Sequence, residues 1–179
     1  MKKNKCFNIV NPLLLLAVML FSITVNAQKG KMQTAFIYQL TRLIEWCPEG
    51  KEGNFVIAVV GDEPDLLHQL SALRVRRVGN QQIEVKSYPD VSEVDKANIL
   101  FVPENLFEQI TQIAQKAEGA CTLIISDQVG SARTGKGAGV TLLYNDREGK
   151  LEFYMNRNYM RERSFTVNSK LYDLATRVY

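Results

Sequence analysis

The 179 residues carry 22 basic and 19 acidic side chains, and the basic excess sits at one end, in Lys2, Lys3 and Lys5. Set residues 1–27 aside and the remainder has no net charge, which removes the general electrostatic attraction to nucleic acid or to an anionic membrane surface that clustered Lys and Arg would provide. Residues 28–179 suit one domain with one continuous core, and a second domain is not expected.

The opening MKKNKCFNIVNPLLLLAVMLFSITVNA reads as a secretory signal: lysines first, an apolar run from Pro12 to Ile23, then the small-residue site Val25, Asn26, Ala27. The stretch from Leu13 to Phe21 is shorter than the ~20 apolar residues that span a bilayer. Cleavage is therefore expected after Ala27, with no membrane span left in the mature chain. Cys6 precedes the apolar run, so no lipoprotein anchor is expected. Cys47 and Cys121 remain, and an oxidising compartment would permit one bridge between them; two buried thiols are the alternative.

Met32, Ala35, Phe36, Leu40, Leu43, Ile44 and Trp46 recur at three- and four-residue steps, which predicts a helix from about Met32 to Trp46. Pro48, Gly50 and Gly53 break it, and Phe55–Val60 is a near-continuous apolar run of the kind buried on both faces of a parallel sheet. Pro64 opens a second helix bearing Leu66, Leu70 and Leu73. Around Gly79 and Asn80, two alternating stretches suggest a small hairpin or edge strand. Asn98–Val102 is the next strand. Asn105 with Glu108 predicts a capping box for a helix carrying Leu106, Ile110, Ile113 and Ala117. Thr122–Ser126 reads as a further strand. Beyond the glycines at 130, 135, 137 and 139, VTLLY and LEFYM flank the turn-forming NDREG and predict an antiparallel hairpin. Asn168 is placed to cap a final helix with Leu171, Leu174, Ala175 and Val178 facing inward. Alternating strands and helices followed by a hairpin predict a three-layer α/β sandwich: a mostly parallel mixed sheet, a C-terminal antiparallel hairpin, and helices on both faces.

Catalytic chemistry finds little to work with. His68 is the one histidine, inside a predicted helix beside Leu67, with no HExxH or CxxC to make a metal set and no G-x-S-x-G to present a serine. Gly130, Gly135 and Lys136 fit G-x-x-x-x-G-K, but Gly137 stands where a Ser or Thr must hold Mg²⁺ and a strand follows where a helix is required. This is a glycine-rich connection that lets backbone turn or approach closely. No catalytic residue, metal ligand or cofactor is assigned. Arg74, Arg76 and Arg77, with Lys86 nearby, form a basic cluster: either a solvated edge that discourages strand pairing or a docking patch for an acidic partner. Trp46 ends an apolar stripe, as a core residue would.

Four stretches resemble the YfiR/HmsC-like family of exported bacterial proteins: TAFIYQLTRLIEWCP (Thr34–Pro48), FVIAVVGDEP (Phe55–Pro64), ISDQVG with GAGVTLLYNDREGKLEFYMN (Ile125–Gly130 and Gly137–Asn156), and NSKLYDLA (Asn168–Ala175). The landmarks are Phe36, Tyr38, Glu45, Trp46, Gly61, Asp62, Ser126, Asp127, Asn156, Ser169 and Lys170. The polar ones are expected to cap helices and hold turns rather than to touch a ligand. Cys47 between Trp46 and Pro48, Ala138 for the second glycine of a pair, and Tyr154 and Met155 depart from the family pattern. The resemblance implies a non-enzymatic periplasmic protein that binds and restrains the periplasmic sensing domain of a membrane-anchored signalling enzyme, a diguanylate cyclase or histidine kinase. Through that enzyme it would govern cyclic-di-GMP, biofilm and exopolysaccharide. A homodimer follows by analogy alone. The competing reading is a periplasmic small-ligand-binding protein, with its crevice at the carboxyl ends of the strands near Gly61 and Asp62.

Overall fold

Helix α1 spans Pro12–Leu43 and leads into a two-residue strand, β1 (Ile44–Glu45), and a 3-10 turn at Pro48–Lys51. The computed structural model describes residues 12–117, 121–129 and 137–179, with side chains from Gln28 onward except at Val129. The chain continues through β2 (Phe55–Val60), α2 (Pro64–Ser71), β3 (Arg77–Val78), β4 (Gln81–Tyr88), β5 (Ile99–Val102), α3 (Ile110–Lys116) and β6 (Leu123–Val129). Then come β7 (Val140–Asn145), β8 (Lys150–Met155), α4 (Arg157–Glu162), β9 (Thr166–Val167), α5 (Ser169–Leu174) and β10 (Arg177–Val178). Among the described residues, no helix is long and apolar enough to cross a membrane.

Eight strands form one sheet in the order β10-β8-β7-β6-β5-β2-β4-β3. The run from β4 through β2, β5 and β6 to β7 is parallel; β8 returns antiparallel to β7, β3 lies antiparallel on the β4 edge, and β10 runs parallel beside β8. The crossovers from β2 to β4 and from β5 to β6 travel in opposite directions along the sheet, so right-handed connections put α2 and α3 on opposite faces. Helix α1 packs beside α2. The three layers predicted from the alternating pattern are thus present. Phe55, Ile57, Ile99, Leu100, Phe101 and Leu123 are fully buried, as strands covered on both faces require.

Several predicted elements differ. The first helix stops at Leu43, because Ile44 and Glu45 pair with Val167 and Thr166 of β9. Ile44 and Trp46 are both buried about an exposed Glu45, so a short period of two imitates the tail of a helical stripe. The Asn105–Glu108 capping box is not the helix start: Pro103 occupies the cap position without a side-chain cap bond, a 3-10 turn runs from Glu104 to Gln109, and the α-helix begins at Ile110. Pro103, placed directly after β5, starts the turn early and leaves Asn105 inside it. The last helix ends at Leu174, which is 68% exposed, and Val178 belongs to β10, where it pairs with Met155. Asn168 does cap that helix, accepting from the Lys170 amide at 3.0 Å. β6 also runs past Ser126 through Asp127 and Gln128, polar residues that are buried in the strand. Helix α4, capped by Asn156 accepting from the Tyr159 amide at 3.0 Å, has no counterpart among the predicted elements.

Lys2, Lys3, Lys5 and Cys6, and likewise Gly130, Gly135 and Lys136, lie outside the described residues. Gly139 shows why the end of the glycine-rich connection is glycine: a Cβ there would lie 2.7 Å from Leu123 Cδ1 and 2.7 Å from Tyr159 Cδ1. The Tyr159 ring cannot swing away freely, since its hydroxyl donates to Thr122 O at 2.7 Å and accepts from the Ile124 amide at 3.1 Å. Gly139→Ala is therefore expected to cost about 1–3 kcal/mol through overpacking, read as a lower urea midpoint at unchanged m-value.

Candidate functional site

The strand order reverses between β2 and β5, and in open α/β sheets that is where a crevice forms beyond the carboxyl ends. Gly61 leaves β2 at φ +82°, a left-handed conformation, and a Cβ on it would press to 3.1 Å from Leu106 Cδ1. Glycine alone meets both demands. Its amide donates to Tyr88 O at 2.9 Å, which turns the chain toward Asp62 and α2.

Beside this turn lies Asp127, near the end of β6 and 6% exposed. Lys29 of α1 reaches it, Nζ to Oδ2 at 2.6 Å. Burial pushes the Asp127 carboxyl above its ordinary range, with Glu104 adding to the rise, while Lys29 and Gln33 oppose it. Burial likewise raises the half-buried Glu63, helped by the charges of Asp127, Asp62 and Asp65 and opposed by Lys29. One ammonium thus faces carboxylates brought from three segments of the chain. Among the described residues, Asp127 Oδ1 and Gln33 Nε2 have no hydrogen-bond partner although both residues are more than nine-tenths buried. Thr34 Oγ1 on the same helix is also without one among the described residues. Asp127 and Gly61 are family landmarks visible in the sequence; Lys29, Gln33 and Glu63 are not among them. A signal existed, because Lys29 and Gln33 extend at four-residue spacing the stripe that continues in the buried Ile37 and Leu40.

Two cavities lie at the opposite, amino-terminal side of the sheet. One, about 410 Å³, is lined by Thr41, Ile44, Trp46, Phe55 and the Val78–Gln81 turn, with the exposed Glu45–Lys51 pair (2.8 Å) at its rim. Trp46 is core, as its pattern predicts: it meets Phe55 and Phe165 edge-on at 5.0 and 5.7 Å and donates to Asn98 O at 3.3 Å. The other, about 370 Å³, lies between Glu49, Asn54, Lys96, Asn98 and Cys121. Here Cys47 and Cys121 have Cα atoms 6.0 Å apart and sulfurs in bonding contact, the arrangement of a disulfide. Glu49 Oε2 stands 2.9 Å from Cys47 Sγ and 3.8 Å from Cys121 Sγ. These three are the one metal-competent trio among the described residues, and sulfurs bonded to each other leave no thiolate for an ion.

The remaining predicted residues scatter. Phe36 packs on Phe153 at 4.7 Å between centroids, and the Tyr38 carbonyl accepts from Thr41 Oγ1 at 2.7 Å. Ser126 donates to Thr141 Oγ1 at 3.0 Å inside the sheet. Ser169 and Lys170 are exposed at the start of α5, and His68 is exposed on α2. Arg74, Arg76 and Arg77 are exposed on the β3 edge around Val75, itself 84% exposed. Arg74 donates to Val85 O at 3.2 Å and Arg77 to Asn80 O at 3.1 Å, while Lys86 pairs with Glu84 at 3.6 Å instead of joining the cluster.

These residues belong to one α/β domain with a mostly parallel mixed sheet and a buried ion pair beside the end of β6. The profile of the YfiR/HmsC-like family matches residues 30–176, and the chain belongs to that family. The family is one of periplasmic regulators of cyclic-di-GMP signalling, a regulatory and not a catalytic type. No curated protein matches the chain. Among solved structures, an ABC domain from Streptococcus pneumonia in complex with L-Trp is similar, with a TM-score of 0.54 at 10% identity. The likeness covers 86% of this chain and 60% of that one, and it shows the fold alone.

Proposed function

We propose that the exported chain binds and restrains the periplasmic sensing domain of a membrane-anchored signalling enzyme of diguanylate cyclase or kinase type. The observation that carries this reading is the family match over nearly the whole domain. Crosslinking in intact cells followed by purification of the chain should recover an inner-membrane protein bearing a cyclase or kinase domain. Repeated recovery of none by a correctly folded chain would sink the reading.

The exposed Arg74, Val75, Arg76 and Arg77 run is the surface we assign to an acidic partner. Arginines at a rim act mainly through the rate of encounter. Changing Arg76 and Arg77 to Glu is expected to weaken binding of the recovered sensing domain by about tenfold or more and to flatten its salt dependence. The melting temperature should stay where it was, because both side chains are exposed.

The cavity beside Trp46 favours a second reading, a small-ligand-binding protein. A ligand-induced rise in melting temperature, abolished by filling the cavity with Thr41→Trp, would support it.

A further inference from the structure

The Lys29–Thr34 turns of α1 rest on the body of the domain through one charged contact and little else that is polar and satisfied. Lys29 Nζ meets Asp127 Oδ2 at 2.6 Å, yet the second Asp127 oxygen, Gln33 Nε2 and Thr34 Oγ1 are buried without partners among the described residues. Gly30 brings the helix backbone against α2, where an added Cβ would sit 3.3 Å from Gln69 Cγ and 3.7 Å from Asp65 O. This part of α1 therefore lies alongside the carboxyl-end crevice, in contact with both the β6 end and the start of α2. Gln33 faces the Asp127 carboxylate without closing a short hydrogen bond and Thr34 Oγ1 is buried without a partner among the described residues, so the polar contacts of this part of α1 rest mainly on the Lys29–Asp127 pair.

We propose that α1 from Lys29 to about Thr34 is an acid-released strap over the carboxyl-end crevice, with the Lys29–Asp127 ion pair as its latch. The groups facing the latch are Gln33 from α1 itself, Glu63 with Asp62 and Asp65 from the β2–α2 connection, and Glu104 after β5. Among the described residues, the charged groups around the latch other than Lys29 are these carboxylates. Protonating Asp127 removes the negative charge that holds Lys29 and leaves a neutral carboxyl with its proton to donate.

The thermodynamic sign separates release of the strap from general acid unfolding. Asp127 and Glu63 both have raised carboxyl pKa values in the folded chain. Between the unfolded value and the raised one, the native state binds protons more tightly than the unfolded state does. Their burial therefore costs stability at neutral pH, and the cost is relieved as pH falls through the folded value. Lys29 and Gln33 on α1 both hold the Asp127 carboxyl down, so with Asp127 kept buried among the strands its pKa is higher once they leave, and protonation favours release.

Hydrogen exchange on the exported protein tests this, with protection factors corrected for the pH dependence of intrinsic exchange. From about pH 7.5 to about pH 4.5, protection of residues 32–36, the first amides of the exported chain with a helical acceptor, should fall about tenfold or more while β2 stays protected. Asp127→Asn should show the low protection at both values. Lys29→Met removes the ammonium without disturbing the strand, and it decides the matter in the same way if the asparagine variant does not fold. A wild-type strap whose protection ignores pH, a variant that keeps the wild-type pH response, or loss of β2 protection in parallel with the strap would each overturn the proposal.

Discussion

Replacing Cys121 by serine is expected to remove about 4 kcal/mol of stability, lowering the melting temperature by about 10 °C or more. The bridge closes a loop of 74 residues that contains β2, α2, β4, β5 and α3, most of the parallel sheet. Opening it returns loop entropy to the unfolded chain, and on the loop-closure estimate that entropy alone accounts for the figure. The native geometry gives little back, since Gly50 is wedged there with a Cβ position 2.8 Å from Trp46 Cδ1 and 3.1 Å from Cys121 Cβ. Cys47→Ser, Cys121→Ser and the double variant should melt together, because either change abolishes the same bond. Reductant should bring the wild type down to the variants and leave the variants unmoved. A wild type indifferent to reductant would mean that the two cysteines work as packed thiols.

The parts of this fold legible in the sequence are those whose signal is local. The apolar runs of β2 and β5 and the polar turn between β7 and β8 can be read directly, since continuous β-branched runs and turn residues specify those structures without help from elsewhere. β1, β9 and β10 have two residues each, too few for any periodicity. They exist because distant segments happen to meet: Ile44 with Val167, and Val178 with Met155. The same limit governs the site. Asp127 stands out as a landmark, but its ammonium comes from Lys29 near the other end of the chain, and only the packing of α1 across the sheet end unites them. The polar tail of β6 hides the strand beyond Ser126 for a related reason: Asp127 and Gln128 are buried in a strand, where sequence alone places polar residues in loops.

Asn98 is the residue whose importance is least visible in the sequence, and Asn98→Ala is expected to cost about 2–4 kcal/mol. Its backbone ties the start of β5 to both neighbours, with its amide donating to Val56 O at 2.9 Å and its carbonyl accepting from the Leu123 amide at 2.8 Å and from Trp46 Nε1 at 3.3 Å. Its side chain does the rest: Oδ1 accepts from the Val56 amide at 2.8 Å and Nδ2 donates to Gly50 O at 2.7 Å. Alanine keeps the backbone bonds and orphans the Val56 amide, whereas Gly50 O retains a donor in Gln81 Nε2 at 3.3 Å. The larger share of the loss therefore falls on β2, and urea denaturation should register it as a lower midpoint. Asn98→Asp separates the two side-chain bonds. Its carboxylate still accepts from Val56 but turns a second acceptor toward Gly50 O, in a site that disfavours charge, so its folded pKa must be raised. Lowering the pH through that value supplies the missing proton as a donor to Gly50 O, and the aspartate variant should regain stability on acidification as the alanine variant does not. Parallel pH profiles for the two variants would show that the Gly50 bond carries none of the energy assigned to it.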